Sequence, residues 1–306
     1  MPFSALTPNT PVLRRHFPLA LAACLTACRD ATRLSADTGT YDAFHTPEDV
    51  SITGYGGDAM EPFLTRDGRY LLFNNRNDAS ENTNLHWAKR VGDLTFSYLG
   101  EISGVNTAAL EGVPSMDRDG NLYFVSTRSY KQTLSTIYRA KFVDGIAAAP
   151  ELVEGISRRT PGWVNFDAEI SADGNTLYFV DGYFGSGNQP QSAILAAAVR
   201  SGKGFRRLTE SSRLFANVNS ESLQYATNIS EDELELFFTR VRRIEASAEP
   251  AIFRCMREKI DQPFSMPQRV SAIQGFAEAS TLSPDGRSLY YHARVEGRFR
   301  VRRVKR

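Results

Sequence analysis

Cysteine is scarce in this 306-residue chain: Cys24, Cys28 and Cys255 are all there is, at no spacing that suits a metal. Two of the three stand within the first 28 positions, so no disulfide framework is available. Histidine is nearly as rare. After His16 come only His45, His86 and His292, and no two of them have the helical or short-loop spacing of a zinc site. Neither a metal nor a cofactor is expected. His86 and His292 fall on or beside apolar strands and read as packed strand residues, and Cys255 reads as a small buried hydrophobe. An excess of charge of one sign is also missing. Formal net charge is +1, and without residues 1–27, which hold Arg14 and Arg15 and no acid, 34 bases face 35 acids. A general nucleic-acid binder needs a basic stripe, so nucleic acid is not an expected partner. There is no Gly-x-Ser-x-Gly elbow and no phosphate-cradling glycine loop; Gly185-Ser-Gly187 reads as a hairpin tip.

Long hydrophobic runs are absent as well. The apolar stretch near the start is about ten residues, too short to span a bilayer, and it follows Arg14-Arg15. It ends in Leu25-Thr26-Ala27-Cys28, which resembles the lipobox of bacterial lipoproteins. That resemblance implies a signal peptide over 1–27, a lipid on Cys28 and attachment to a membrane; a plain secretory signal is the other reading. Arg29 rather than Asp follows the cysteine, which points to the outer membrane, facing the periplasm or the surface. Residues 28–47 are polar, lack a helical or strand period, and are expected to be a flexible tether.

What the sequence does have is a repeat. Five segments share one pattern: Glu61–Gly68, Val113–Gly120, Asp167–Gly174, Ala226–Glu233 and Ala279–Gly286. Each carries an Asp, at 67, 119, 173, 232 and 285, and each is followed by an apolar strand. Asp-Gly between two apolar runs is a hairpin turn, because glycine accepts φ > 0 and aspartate bonds its own backbone. A third strand follows, as in Leu85–Lys89, Ile137–Lys141 and Ile252–Met256, and then a shorter fourth. Four strands in about 53 residues make one propeller blade. The expected fold is all-β: a five-bladed β-propeller of four-stranded antiparallel blades over 48–306. The last repeat runs out after its third strand, so the missing fourth is expected from Asp49–Thr53. A sixth blade would need the tether to fold, and a β-sandwich would not give this period.

Ser171-Ala-Asp-Gly-Asn-Thr-Leu-Tyr-Phe179 and Ser283-Pro-Asp-Gly-Arg-Ser-Leu-Tyr-Tyr291 resemble the TolB-like, WD-repeat-like propeller repeat of bacterial envelope proteins. The resemblance covers about residues 48–306. It implies an exported propeller used for protein contact, with a protein of the cell envelope as partner. Asp232-Glu233 replaces Asp-Gly in the fourth unit, where a differently built turn is expected.

Candidate site residues follow from position. The connections entering the innermost strands carry Asp58, Glu61, Glu111, Asp167, Glu169, Glu221 and Glu278, which would ring one mouth of the channel. They read either as a ring for a cation, a basic group or a hydroxyl-rich ligand, or as solvated loop acids. Trp163, flanked by Pro161 and Gly162, reads as a contact residue for protein or sugar, or as packing between blades. The repeated turn acids Asp67, Asp119, Asp173 and Asp285 read as structural. The basic end, Arg298–Arg306, alternates as a half-exposed strand, solvated or facing anionic lipid.

No catalytic constellation stands out, so the primary expectation is a monomeric, non-enzymatic envelope lipoprotein that binds a protein. The alternative is a carbohydrate-active five-bladed propeller, a glycosidase or glycan binder, with channel carboxylates doing acid–base work.

Overall fold

The computed structural model describes residues 39–77, 82–186, 190–221, 223–244 and 247–306. The proposed signal peptide and Cys28 lie outside these. Five small sheets form the five expected blades. From the inside outward, blade 1 is Met60–Leu64, Tyr70–Asn74, Leu85–Arg90 and Thr95–Glu101, and blade 2 is Glu111–Met116, Asn121–Ser126, Ile137–Val143 and Ile146–Leu152. Blade 3 is Trp163–Ile170, Thr176–Tyr183, Ser192–Ser201 and Gly204–Arg207. Blade 4 is Gln224–Ile229, Glu235–Ile244, Ser247–Met256 and Gln268–Val270. Blade 5 takes Ala277–Leu282, Ser288–Val295 and Arg298–Lys305 from the end of the chain.

Its fourth strand comes from the N-terminal side, as expected, but from Glu48–Asp49, antiparallel to Arg298–Lys305. Ser51–Thr53, expected in the same strand, instead crosses to blade 1 and pairs parallel with Thr95–Glu101. One short segment therefore covers the edges of both blades at the seam, where an open edge would invite foreign pairing. Buried Arg303 binds Glu48 and, across the seam, Asp93. Part of the segment expected as a tether over 28–47 is packed on the propeller: Thr40–Tyr41 is a fifth strand of blade 4, and Phe44 is buried against Phe237. The basic end strand is largely engaged as well, with Arg302 on Asp49 and Arg298 on the Gly56 carbonyl.

The hairpin turns explain the repeat chemically. Thr65, Ser171, Ser230 and Ser283 donate their hydroxyls to Asp67, Asp173, Asp232 and Asp285, whose carboxylates also accept the backbone N–H two residues on. In blade 2 the turn is one residue shorter and Asp117, not Asp119, holds it through Asn121. Glu233 takes the glycine position at φ 59°, so the fourth turn is built like the others, and its carboxylate accepts from Tyr178 of blade 3. Arg90, Arg200 and Arg257 each cap a turn carbonyl (Gly68, Gly174, Glu233) and reach a tyrosine hydroxyl on the preceding blade (Tyr290, Tyr123, Tyr178).

A second repeat is invisible in the sequence. Every innermost strand carries a β-bulge, at Met60/Phe63, Gly112/Ser115, Phe166/Glu169, Tyr225/Asn228 and Glu278/Thr281. At each bulge one residue is left-handed: Glu61, Val113, Asp167, Ala226 and Ala279, with φ from 49° to 55°. None is glycine, so each costs roughly 1–2 kcal/mol of backbone strain. The bulge also frees a backbone N–H, and in four cases a side chain of the preceding blade accepts it: His292 for Glu61, Asn74 for Val113, Asp167 for Ala226 and Thr239 for Ala279. Bulges re-aim side chains and gather at functional sites; here they line the central channel.

Candidate functional site

The channel is a partly open cavity lined by residues next to the five bulges, among them Glu61, Glu169 and Ser280. Three buried carboxyls act on one another electrostatically beside it: Glu61 of blade 1, which lines the cavity, and Asp167 of blade 3 and Glu278 of blade 5, next to the lining residues Ala168 and Ala279. Burial first, and then the charges of Asp167 and Glu278, hold the Glu61 carboxyl well above the usual carboxylate range. Burial, with a smaller push from Glu278, raises Asp167 to about 7 against the lowering pull of the Ala226 N–H.

Glu278 is differently furnished. Tyr225 donates its hydroxyl to Oε1, and His292 Nε2 lies 3.2 Å from Oε2. The tautomer of His292 follows from its other side: Nδ1 accepts the Glu61 backbone N–H at 3.2 Å, so the proton sits on Nε2 and is donated to Glu278. One imidazole thus ties the acid of blade 5 to the bulge of blade 1. By contrast Glu61 Oε2, Asp167 Oδ1 and Ser280 Oγ are buried with no hydrogen-bond partner. Among the described residues no three His, Cys, Asp or Glu side chains are disposed to hold a metal ion.

The remaining candidates are not part of this cluster. Glu169 is buried and also lines the cavity, where Arg66, Ser115 and Asn228 donate to it from blades 1, 2 and 4. It is a structural hub, and burial still holds its carboxyl above the usual range despite Arg66. Glu111 is fully buried and clamps its own loop through Thr107, Ser126 and Arg128. Asp58 accepts the Phe299 N–H at the seam. Glu221 ends the short helical turn Val218–Ser220 that leads into blade 4. Trp163 is half-buried against Tyr183 with Arg158 over its ring, so it is chiefly a packing residue. Cys255 lies in the core as expected, its thiol pushed up by burial. His86 stacks on Phe73.

Sequence reasoning missed Tyr225, and it read His292 as a packed strand residue, which it is, without its hydrogen bonds to Glu61 and Glu278. A signal for the histidine existed: with the repeats aligned by their strand pairing, the position facing the bulge is Asn74, Val125, Val180, Thr239 and His292. A polar residue inside so buried a strand marks a capping duty.

No protein-family model matches this chain, and no curated protein sequence matches it. Solved structures share its fold. An arabinanase of Bacillus subtilis superposes with a TM-score of 0.56 at 12% identity, over 80% of this chain and 93% of that one. The catalytic domain of a GH62 α-L-arabinofuranosidase from Coprinopsis cinerea gives 0.54 at 10% identity, over 88% and 98%. TolB of Acinetobacter baumannii gives 0.46 at 14% identity, over 82% of this chain and 55% of that one, so the chain spans about half the length of that protein. These similarities concern the fold. The expectation of a non-enzymatic, protein-docking propeller is corrected here: the similar folds are mostly glycoside hydrolases, and Glu61, Asp167 and Glu278 are buried carboxyls that act on one another instead of acids on a solvated rim.

Proposed function

We propose that this protein is a carbohydrate-active propeller that hydrolyses glycosidic bonds. The observation that carries the reading is that three buried carboxyls from three blades, Glu61, Asp167 and Glu278, act on one another in unlike environments. Glycoside hydrolysis needs one carboxyl that gives a proton and one that takes it, and environments that push two carboxyls apart define those roles. Asp167, raised to about 7, is half-protonated near neutral pH and suits the proton donor. Both oxygens of Glu278 accept hydrogen bonds, the arrangement of a carboxylate acting as base. Glu61, which lines the cavity, orients the substrate. The arabinan-directed enzymes of similar fold support the class of reaction.

The test is release of reducing sugar from a panel of polysaccharides and aryl glycosides, arabinans and arabinoxylans included. Turnover is expected, and Glu278→Gln should lower kcat by about 10²–10⁴-fold with little change in melting temperature. A full panel without turnover would overturn the reading.

The lipid anchor on Cys28 is proposed on the lipobox resemblance, with the propeller held at the outer membrane. Cys28→Ser is expected to move the protein from the membrane to the soluble fraction of expressing bacteria. Unchanged membrane association would refute the anchor.

A further inference from the structure

We infer that the channel binds a ligand carrying a primary ammonium group, so that the glycans this site takes are amino sugars with a free amine. The inference rests on the hydrolase reading only for the word glycan; the ammonium site stands on its own geometry.

Three oxygens from three blades carry the argument. Glu61 Oε2, Asp167 Oδ1 and Ser280 Oγ are each buried and each without a hydrogen-bond partner. Buried oxygens are rarely left unmatched, because an orphaned acceptor keeps its full desolvation cost. Here three of them belong to residues gathered at the channel, and two of the residues, Glu61 and Ser280, line its cavity. An ammonium group offers three N–H donors and no acceptor, the chemistry that unmatched buried acceptors call for.

Charge agrees. The acids in and beside the channel are Glu61, Asp167, Glu278 and Glu169, and among the described residues the only Arg or Lys hydrogen-bonded to any of them is Arg66, which is spent on Glu169. His292 is held as the neutral tautomer by its two hydrogen bonds. A cation entering the channel would relieve the mutual repulsion that now raises Glu61 and Asp167. A metal ion is the weaker occupant, since no three His, Cys, Asp or Glu side chains among the described residues are disposed to ligate one. An N-acetylated sugar offers an amide N–H and a carbonyl, which brings one donor, adds an acceptor and leaves the acids uncompensated.

Calorimetric titration of the full chain with a glucosamine tetrasaccharide and with its N-acetylated counterpart tests this, with methylammonium, sodium and calcium chlorides as controls. The free amine is expected to bind at least tenfold more tightly than the acetylated sugar, on the order of one charge-assisted hydrogen bond. Glu61→Gln, which keeps the shape and removes the charge, should erase most of that preference. Equal affinities, no binding of either sugar, or a preference untouched in Glu61→Gln would each overturn the inference. So would a response to calcium that exceeds the response to the amine. The two readings fail separately. Hydrolysis of neutral glycans without amine preference sinks this inference and leaves the hydrolase standing; amine-selective binding with no turnover of any glycan does the reverse.

Discussion

The Asp167→Asn variant is expected to melt on the order of 10 °C above the parent protein at pH 8, and within about 3 °C of it at pH 4.5. Asp167 is buried and its carboxyl is raised to about 7, against about 3.9 in an unfolded chain. The folded state therefore holds the proton more tightly than the unfolded state between those two values. Stability is greatest below about pH 4, falls as pH rises through the window, and has lost roughly 4 kcal/mol by pH 7 to 8. Asparagine cannot ionise, so it removes the loss. It also keeps an oxygen for the Ala226 N–H and accepts the left-handed φ of 51° readily. The same change removes the proposed proton donor, so hydrolysis should fall by about 100-fold or more while stability rises. Melting curves at the two pH values check the first half. An equal shift at both would mean that Asp167 does not titrate across this range.

Glu169→Ala should act in the opposite direction, costing about 3–5 kcal/mol and roughly 10 °C of melting temperature. Glu169 accepts from Arg66, Ser115 and Asn228, so alanine leaves a nearly buried guanidinium without a counter-charge, held only by the Met116 and Ile170 carbonyls, and takes the acceptor from two neutral donors at the meeting point of four blades. Its carboxyl is held above the usual range by burial, which means that the intact network gains little over an apolar plug. The cost lies in breaking one side of it. Glu169→Gln retains the acceptor oxygen and should lose less. If alanine and glutamine were equally harmless by denaturant melts, the hub would carry no weight.

The contrast between these two acids shows what could be read from the chain. Both stand in the same repeat, two residues apart, and both were legible as acids entering an innermost strand. Which of them is spent on structure depends on Arg66, Ser115 and Asn228, residues 103, 54 and 59 positions away. The same holds for Glu111, whose carboxylate is consumed by Thr107, Ser126 and Arg128. Glu278 looked like any other loop acid until Tyr225 and His292 were found beside it.

The amino-acid sequence by itself determined the number of blades, their strands and their turns, because Ser-x-Asp-Gly chemistry acts within six residues and apolar alternation within a strand. It pointed to the segment around Asp49 as the one that closes blade 5, which the pairing of Glu48–Asp49 bears out. The tertiary structure alone decided the bulges, which no glycine announces, and the crossing of Ser51–Thr53 to blade 1. It alone decided which carboxyls remain unpaired. Desolvation and repulsion between groups more than 100 residues apart are properties of the closed ring, and they exist only once the five innermost strands surround a common axis.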